Sequence, residues 1–213
     1  MARSQKLFDA IVDGKAQLAG SLVEEELKAG ADPVALISET MLPAMDEVGR
    51  LFQEEEYFVP ELMLAGRAMK AAMEPLRPLL AAAGAKPVGV VVAGAVKGDL
   101  HDIGKNLVIS MLEGASFKVV DLGADVYPEK FVDAIREHRP NIVCMSALLT
   151  TTMPSMKATI EAIKEAGLRR DVKILIGGAP ISESYAMAIG ADGYGATATD
   201  AVALARRQVG ISN

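Results

Sequence analysis

From about residue 88 onward, the chain alternates short β-rich runs with helical stretches five times. Repeated strand–helix alternation predicts an α/β domain with a doubly wound, five-stranded parallel sheet that is covered by helices on both faces. The predicted strands are Val88–Ala93, Lys118–Leu122, Ile142–Ser146, Lys173–Ile176 and Gly193–Tyr194. The predicted helices are Gly104–Glu113, Pro128–His138, Met153–Ala166, Ser182–Ile189 and Thr199–Gln208. Ligands of such sheets bind just after the strands, beside the point where the strand order reverses.

The first part of the chain has a helical pattern throughout, with apolar residues at steps of three and four. The predicted helices are Ser4–Val12, Lys15–Ala29, a third that Asp32 caps and Pro33 begins, and Phe58–Leu80. The third aligns Met41, Met45, Val48 and Phe52 on one face, and the fourth aligns Phe58, Leu62, Met69, Met73, Leu76 and Leu80. Short connections predict a four-helix bundle. We therefore expect two domains, 1–85 and 86–213, joined by an Ala/Gly/Pro-rich linker at 81–87.

Composition excludes several classes of site. The chain has 213 residues, of which 51% are apolar and 23% charged, which is enough apolar material for packed cores. Its formal charge is −6 and it has no basic cluster, so nucleic acid and anionic membrane surfaces are poor partners. A single cysteine, Cys144, and two histidines, His101 and His138, exclude a disulfide framework, a cysteine zinc site, a cysteine-bound iron–sulfur cluster and any three-histidine site.

Targeting signals are also absent from the sequence pattern. Charged residues interrupt the N-terminal segment, so it lacks the apolar region of a signal peptide. The longest apolar runs, Val88–Val96 and Ile142–Leu149, are far shorter than the about 20 residues of a membrane-spanning helix. We expect a soluble, cytoplasmic protein.

The segment after the first predicted strand does not match the common phosphate-binding loops. A Walker loop needs four residues between its glycines and Ser or Thr after its Lys, whereas five separate Gly98 from Gly104 and Asn106 follows Lys105. The G-x-G-x-x-G pattern of dinucleotide-binding proteins is absent as well. A receiver domain would carry its phosphoacceptor Asp where this chain has Ser146.

The adjacent pair His101-Asp102 could suggest a metal-dependent phosphohydrolase. That chemistry needs further histidines, and only His138 remains, which is predicted at a solvated helix end. What remains is a pattern of three separated motifs at strand ends: Asp99-x-His101-x-x-Gly104, Ser146-x-Leu148 and Gly177-Gly178.

These motifs resemble the cobalamin-binding domain in which a histidine replaces the cofactor's own base. The helical half resembles the cap that accompanies this domain in cobalamin-dependent methionine synthase and in the corrinoid proteins of methanol, methylamine, betaine and aryl-ether methyltransferase systems. The segments Met45–Phe52 and Phe58–Leu62 are similar to the cap of those families. The resemblance covers most of the chain and implies cobalamin or a related corrinoid that cycles between methyl-Co(III) and Co(I).

The resemblance implies roles for the polar residues of the first two motifs. His101 is the axial cobalt ligand, Asp99 accepts a hydrogen bond from its second ring nitrogen, and Ser146 is the next member of this proton relay. Asp102 caps the helix that contains Gly104.

Further residues are implied to contact the cofactor. Those at the strand ends are Asp102, Ile103, Gly104, Leu148, Thr150, Gly177, Gly178, Gly193 and Gly195, where glycines allow close approach of the nucleotide tail. Ordinary tight turns remain the alternative explanation for Gly193 and Gly195. In the cap, Phe52, Val59 and Leu62 match residues that cover the upper face of the corrin, with core packing as the alternative for each.

The implied function is that of a methyl carrier and not of an autonomous enzyme. A substrate-specific methyltransferase would load the corrinoid, and a corrinoid:folate or corrinoid:thiol methyltransferase would unload it, with a reductive activator protein as a further partner. Three alternatives remain open: a subunit of an adenosylcobalamin mutase, a cobalamin-based sensor, and a flavodoxin-like enzyme without a corrin. The first is not expected to carry this cap, the second would carry a DNA-binding segment, and the third lacks a catalytic constellation.

Overall fold

The computed structural model describes residues 4–76, 78–79 and 87–211, and it divides into two compact units between residues 86 and 87. The helices of the first unit are α1 (Gln5–Val12), α2 (Ala16–Lys28), α3 (Pro33–Leu36), α4 (Leu42–Gln53) and α5 (Val59–Met73), with a π-helical turn at Ile37–Met41 between α3 and α4. The predicted linker at 81–87 lies outside the described residues except for Pro87. Among the described residues, no helix combines the length and apolar character needed to cross a membrane.

The third predicted helix begins as expected, because the Asp32 side chain accepts a hydrogen bond from Ala35 N at 2.8 Å and Pro33 occupies the first turn. The π-helical turn was not predicted. In it, Leu42 N donates to the carbonyl oxygen of Ile37, five residues back. Pro43 follows directly and has no N–H with which to continue the ordinary pattern, which accounts for the change in pitch at this point.

The fourth helix is shorter than predicted. It ends at Met73, and Pro75, two residues later, has no N–H with which to continue the helical hydrogen bonds. Phe58, predicted on the core face, is instead 64% exposed at the helix N-cap. The rest of that face is buried as predicted, except for Leu80, which lies outside the described residues; the buried members are Leu62, Met69, Met73 and Leu76.

The second unit contains the predicted five-stranded parallel sheet. Its strands are β1 (Val90–Ala95), β2 (Lys118–Asp121), β3 (Ile142–Ser146), β4 (Lys173–Gly177) and β5 (Gly193–Gly195), in the spatial order β2-β1-β3-β4-β5. Its helices are α6 (Ile103–Gly114), α7 (Pro128–His138), α8 (Met153–Glu165), α9 (Glu183–Ile189) and α10 (Ala198–Gln208). Buried side chains of β1, β3 and β4 pack with those of α7 and α8 into one core.

Strand β1 lies two residues later than predicted. Gly94 and Ala95 belong to it and pair with Met145 and Ser146 of β3. Gly94 is a strand residue for a packing reason: a Cβ there would lie 2.9 Å from the ring of Phe131. The sequence pattern indicated a loop because glycine is uncommon inside strands.

Ser116, in the turn between α6 and β2, combines two unfavourable features. Its φ is 65°, and its buried hydroxyl has no hydrogen-bond partner among the described residues. We expect Ser116→Gly to raise the free energy of unfolding by about 1 kcal/mol, since it removes both the hydroxyl and the backbone strain. Denaturant unfolding measures the change. Ser116→Ala is the matched control, because it removes the hydroxyl and keeps the strain, so a larger gain for Ala than for Gly would contradict the strain argument.

Candidate functional site

The strand order reverses between β1 and β3, so the segments that follow these two strands meet at one edge of the sheet. The β1 segment carries Asp99 and His101, and the β3 segment carries Leu148 and Thr152. Hydrogen bonds between the two segments converge on one carboxylate, that of Asp99. This carboxylate is therefore the centre of the candidate site.

Asp99 and His101 are in direct contact. The Nδ1 atom of His101 lies 3.0 Å from Oδ1 of Asp99, and the backbone N–H of His101 donates to the same oxygen at 3.0 Å. The imidazole is 49% exposed, while the carboxylate is fully buried. The contact at Nδ1 orients the ring and leaves Nε2 as the nitrogen that can serve as an acceptor or a metal ligand.

The second oxygen of Asp99, Oδ2, accepts two hydrogen bonds from the β3 segment. Leu148 N donates at 2.7 Å, and the Thr152 hydroxyl lies at 2.7 Å. The Thr152 hydroxyl also lies 2.9 Å from the carbonyl oxygen of Leu149, but its single hydrogen forms the stronger bond with the charged acceptor. Burial by itself would raise the pKa of Asp99, but the hydrogen bonds from Thr152, Leu148 and His101 outweigh it and lower the pKa to about 2. Asp99 is therefore ionised at neutral pH.

Ser146 does not occupy the predicted place in this relay, and that prediction is corrected. It is the last residue of β3, and pairing with Ala95 and Gly177 fixes its position in the sheet. Its hydroxyl is buried and has no hydrogen-bond partner among the described residues. The chain turns back after β3 and brings Thr152, at the N-cap of α8, to the carboxylate of Asp99 instead. Both residues carry a hydroxyl group, one at the end of β3 and one shortly after it, so the sequence pattern did not distinguish them.

The predicted glycines fall into two groups. Four of them are closely packed by the protein itself, with neighbouring atoms about 3 Å or less from an added Cβ: Gly177, Gly178, Gly193 and Gly195. At Gly177 and Gly178 the nearest atom is a backbone oxygen, at 2.9 and 1.9 Å, which cannot rotate away. Gly104, in the first turn of α6, has nothing within 4 Å of an added Cβ. The protein's own packing therefore does not explain glycine at 104, and the open space is available to a ligand.

Large apolar side chains around His101 face outward. Leu100 is 75% exposed, and Ile103, Leu148 and Leu149 are exposed too. An apolar surface of this kind at a strand-end site is typical of a binding surface. Thr150 is exposed within the same β3 segment. Asp102 directly precedes α6, and its carbonyl oxygen accepts the N–H of Asn106 at 2.8 Å, as an N-cap residue does.

The three predicted covering residues of the helical unit differ in exposure. Leu62 is fully buried in the bundle, so its prediction as a cofactor contact is corrected: it belongs to the bundle core. Val59 is 42% exposed, and Phe52 is half-buried. Phe58, which was not predicted as a covering residue, is the most exposed aromatic side chain of this segment among the described residues.

Comparison with protein families identifies both units. Two family models, each described as a B12 binding domain, match residues 4–77 and 89–203. The trimethylamine corrinoid protein 1 of Methanosarcina acetivorans is 45% identical over 203 residues, which cover 94% of this chain and 94% of that protein. The dimethylamine corrinoid protein 1 of the same organism is 41% identical over 203 residues, with 95% of both covered.

Solved structures give the same result. A cobalamin-binding protein from Desulfitobacterium hafniense has a TM-score of 0.81 and 37% identity, covering 97% of this chain and 98% of that one. A chain of the methanol:cobalamin methyltransferase complex MtaBC from Methanosarcina barkeri has a TM-score of 0.84 and 30% identity. The match covers 98% of this chain and 80% of that one.

The strand-end residues fit a corrinoid, since the ring of such a cofactor supplies four cobalt ligands itself and one protein imidazole would be a sufficient further donor. The described residues offer one half-exposed imidazole with an oriented ring, exposed apolar side chains beside it, a buried Ser146 hydroxyl that finds no hydrogen-bond partner among them, and open space at Gly104. From the match of the family model to residues 89–203 and the 45% identity to a corrinoid protein over 94% of both chains, this chain belongs to the family of cobalamin-binding corrinoid proteins.

Proposed function

We propose that this chain is a methyl carrier that binds its corrinoid with His101 as the axial cobalt ligand. A bound corrinoid supplies a cobalt ion that accepts a methyl group from one partner and releases it to another. The observation that carries the proposal is the contact between Nδ1 of His101 and the buried carboxylate of Asp99 at 3.0 Å. Metal-binding histidines are commonly held in this way, by a carboxylate on the nitrogen that does not bind the metal.

The relay that we propose consists of His101, Asp99 and Thr152. Nδ1–H of His101 donates to Oδ1 of Asp99, while Thr152 and Leu148 N stabilise the charge on Oδ2. Because Asp99 is ionised, it favours a proton on Nδ1 and so leaves the lone pair of Nε2 free to bind a metal. Proton uptake by the imidazole would weaken Nε2 as a ligand, which couples axial ligation to a proton held at His101.

The remaining predicted residues have separate roles in the proposal. Ser146 and Gly104 would border the nucleotide tail, since the Ser146 hydroxyl has no hydrogen-bond partner among the described residues and Gly104 leaves open space. The exposed side chains of Ile103 and Leu148 would contact the corrin ring. Gly177, Gly178, Gly193 and Gly195 shape the sheet edge that carries these residues, and Phe52 and Val59 of the helical unit would shield the bound cobalt from water.

A methylamine-specific methyltransferase is the loading partner that we favour. The relatives with 45% and 41% identity are trimethylamine and dimethylamine corrinoid proteins, whereas the chain of the methanol complex is 30% identical. A second methyltransferase that delivers the methyl group to folate or to a thiol, and a reductive activator, complete the proposed system.

The first experiment combines reconstitution with hydroxocobalamin and EPR of the Co(II) form. We expect about one cobalt per wild-type protein and an axial nitrogen coupling that disappears in His101→Ala. Selective isotope labelling of histidine with ¹⁵N assigns the coupled nitrogen to the protein. His138→Ala is the matched control, since it removes the only other histidine and should leave the coupling unchanged. A wild type without bound corrinoid, or a coupling to ¹⁵N-labelled histidine that persists in His101→Ala, would contradict the proposal.

A second assay tests the carrier role. Reduced protein is mixed with trimethylamine, dimethylamine or methanol methyltransferase and its substrate, and formation of the methylated corrinoid is followed by its visible spectrum. We expect methylation with a methylamine enzyme and little with the methanol enzyme. A mutase subunit or a sensor would not be methylated by any of them.

A further inference from the structure

The segment after β2, residues 122–126, holds the β1 segment from the side opposite to β3. The Gly98 N–H donates to Oδ1 of Asp125 at 2.7 Å, and Asp125 N donates to the carbonyl oxygen of Asp99 at 2.9 Å. Val126 N donates to the carbonyl oxygen of Ala95 at 2.9 Å, which extends the pairing beyond the strands. The single residue Asp125 thus forms hydrogen bonds with both residues of the turn Gly98–Asp99.

Asp125 adopts an unusual backbone conformation to make these bonds. Its φ is 54°, in the left-handed region, which Asp tolerates better than most residues other than glycine. The conformation directs its N–H and its carboxylate to neighbouring points of the β1 segment. Such backbone strain persists where surrounding contacts hold it in place, and here those contacts belong to the candidate site.

A second contact with the end of β2 fixes the chain on the C-terminal side of His101. The ammonium of Lys105, in the first turn of α6, is buried and lies 2.6 Å from Oδ1 of Asp121. Gly123 N donates to the same oxygen at 2.9 Å, which ties this ion pair to the 122–126 segment. In the sequence, His101 therefore lies between two anchored points: residues 98–99, which contact Asp125, and residue 105, which contacts Asp121 at the end of β2.

We propose that Asp125 is a positioning residue for the axial histidine: by fixing the turn Gly98–Asp99, it holds the Asp99 carboxylate where it meets Nδ1 of His101. The proposal rests on the proposed function, in which His101 binds cobalt. Asp125 acts through Asp99, since its own hydrogen bonds reach only the turn. It is exposed, so its carboxylate can be changed without opening a core.

Two substitutions separate the carboxylate from the backbone conformation. Asp125→Gly introduces a residue that adopts a φ of 54° freely and removes the side-chain acceptor for the Gly98 N–H. Asp125→Asn keeps an acceptor oxygen, and asparagine also tolerates this backbone conformation. Asp133→Asn, on the exposed face of α7, controls for loss of one negative charge. In the cofactor-free protein, NMR should show that the Gly98 amide exchanges about tenfold faster in Asp125→Gly than in the other three proteins.

The reconstituted proteins provide the second readout. We expect the fraction of Co(II) with axial nitrogen coupling from His101 to fall about tenfold relative to the uncoupled form in Asp125→Gly, and to be restored in Asp125→Asn. Faster Gly98 exchange with unchanged coupling would overturn the positioning role, as would unchanged exchange. The wild type is measured before any variant. If it shows no coupling from His101, both the proposed function and the role of Asp125 are wrong.

Discussion

Gly178→Ala is expected to lower the free energy of unfolding by about 3–5 kcal/mol, the largest loss expected from alanine at any glycine that the structure describes. The φ of Gly178 is 129°, and an added Cβ would lie 1.9 Å from the carbonyl oxygen of Ala147. That oxygen belongs to the backbone, so no rotation of a flexible side chain can relieve the clash. Either β4 must separate from the β3 segment or the turn must rearrange.

Gly167→Ala is the matched control for this prediction. Gly167 has a φ of 76° and nothing within 4 Å of an added Cβ, so its variant reports only the cost of a positive φ, about 1 kcal/mol. Denaturant unfolding of the two variants separates the steric clash from the conformational cost. Equal losses would mean that the β3 segment moves aside without cost, in contradiction to the packing at Gly178.

The clash at Gly178 also bears on the site. Ala147 precedes Leu148, whose N–H donates to Asp99 at 2.7 Å. A displaced β3 segment would lengthen this bond and would thereby raise the pKa of Asp99. Glycine at position 178 is therefore needed to keep the β3 segment in place beside the Asp99 carboxylate. This packing role accounts for the glycine without any direct contact to a cofactor.

The sequence predicted the sheet well because each buried strand is a short apolar run between turn residues, as Ile142–Ser146 shows. The family resemblance singled out Asp99 and His101 on one segment, and the structure brings these two side chains into contact. What the sequence could not predict depends on tertiary contacts. Leu62 and Val59 have the same apolar character, and only the packed bundle shows that one is buried and the other exposed.

Asp125 was missed for a different reason. The three motifs that indicate the site follow the first, third and fourth predicted strands, whereas Asp125 follows the second. The signal was present, because Gly123-Ala124-Asp125 directly follows the predicted strand Lys118–Leu122 and is a turn sequence. Its contact with Gly98, from a distant part of the chain, could be found only in the folded structure.

Thr152→Val is expected to lower the free energy of unfolding by about 2 kcal/mol at neutral pH, because it removes a hydrogen bond to a buried, ionised carboxylate. Thr152→Ser keeps the hydroxyl and should restore most of the loss. Ser146→Ala removes a buried hydroxyl that has no partner among the described residues, so it should leave the stability unchanged or slightly higher. A loss in Ser146→Ala that equals the loss in Thr152→Val would reinstate Ser146 in the relay.

The pH dependence of these variants tests the same contact independently. The pKa of Asp99 is lowered from 3.8 to about 2, so as the pH falls the unfolded chain binds its proton first. The stabilisation from Asp99, about 2 kcal/mol, is therefore complete above about pH 4 and is lost as the pH falls toward 2. Without the Thr152 hydroxyl the folded pKa rises, so the deficit of Thr152→Val should shrink over this interval. A deficit that stays constant from pH 7 to about pH 2 would show that the hydroxyl does not act through the Asp99 charge.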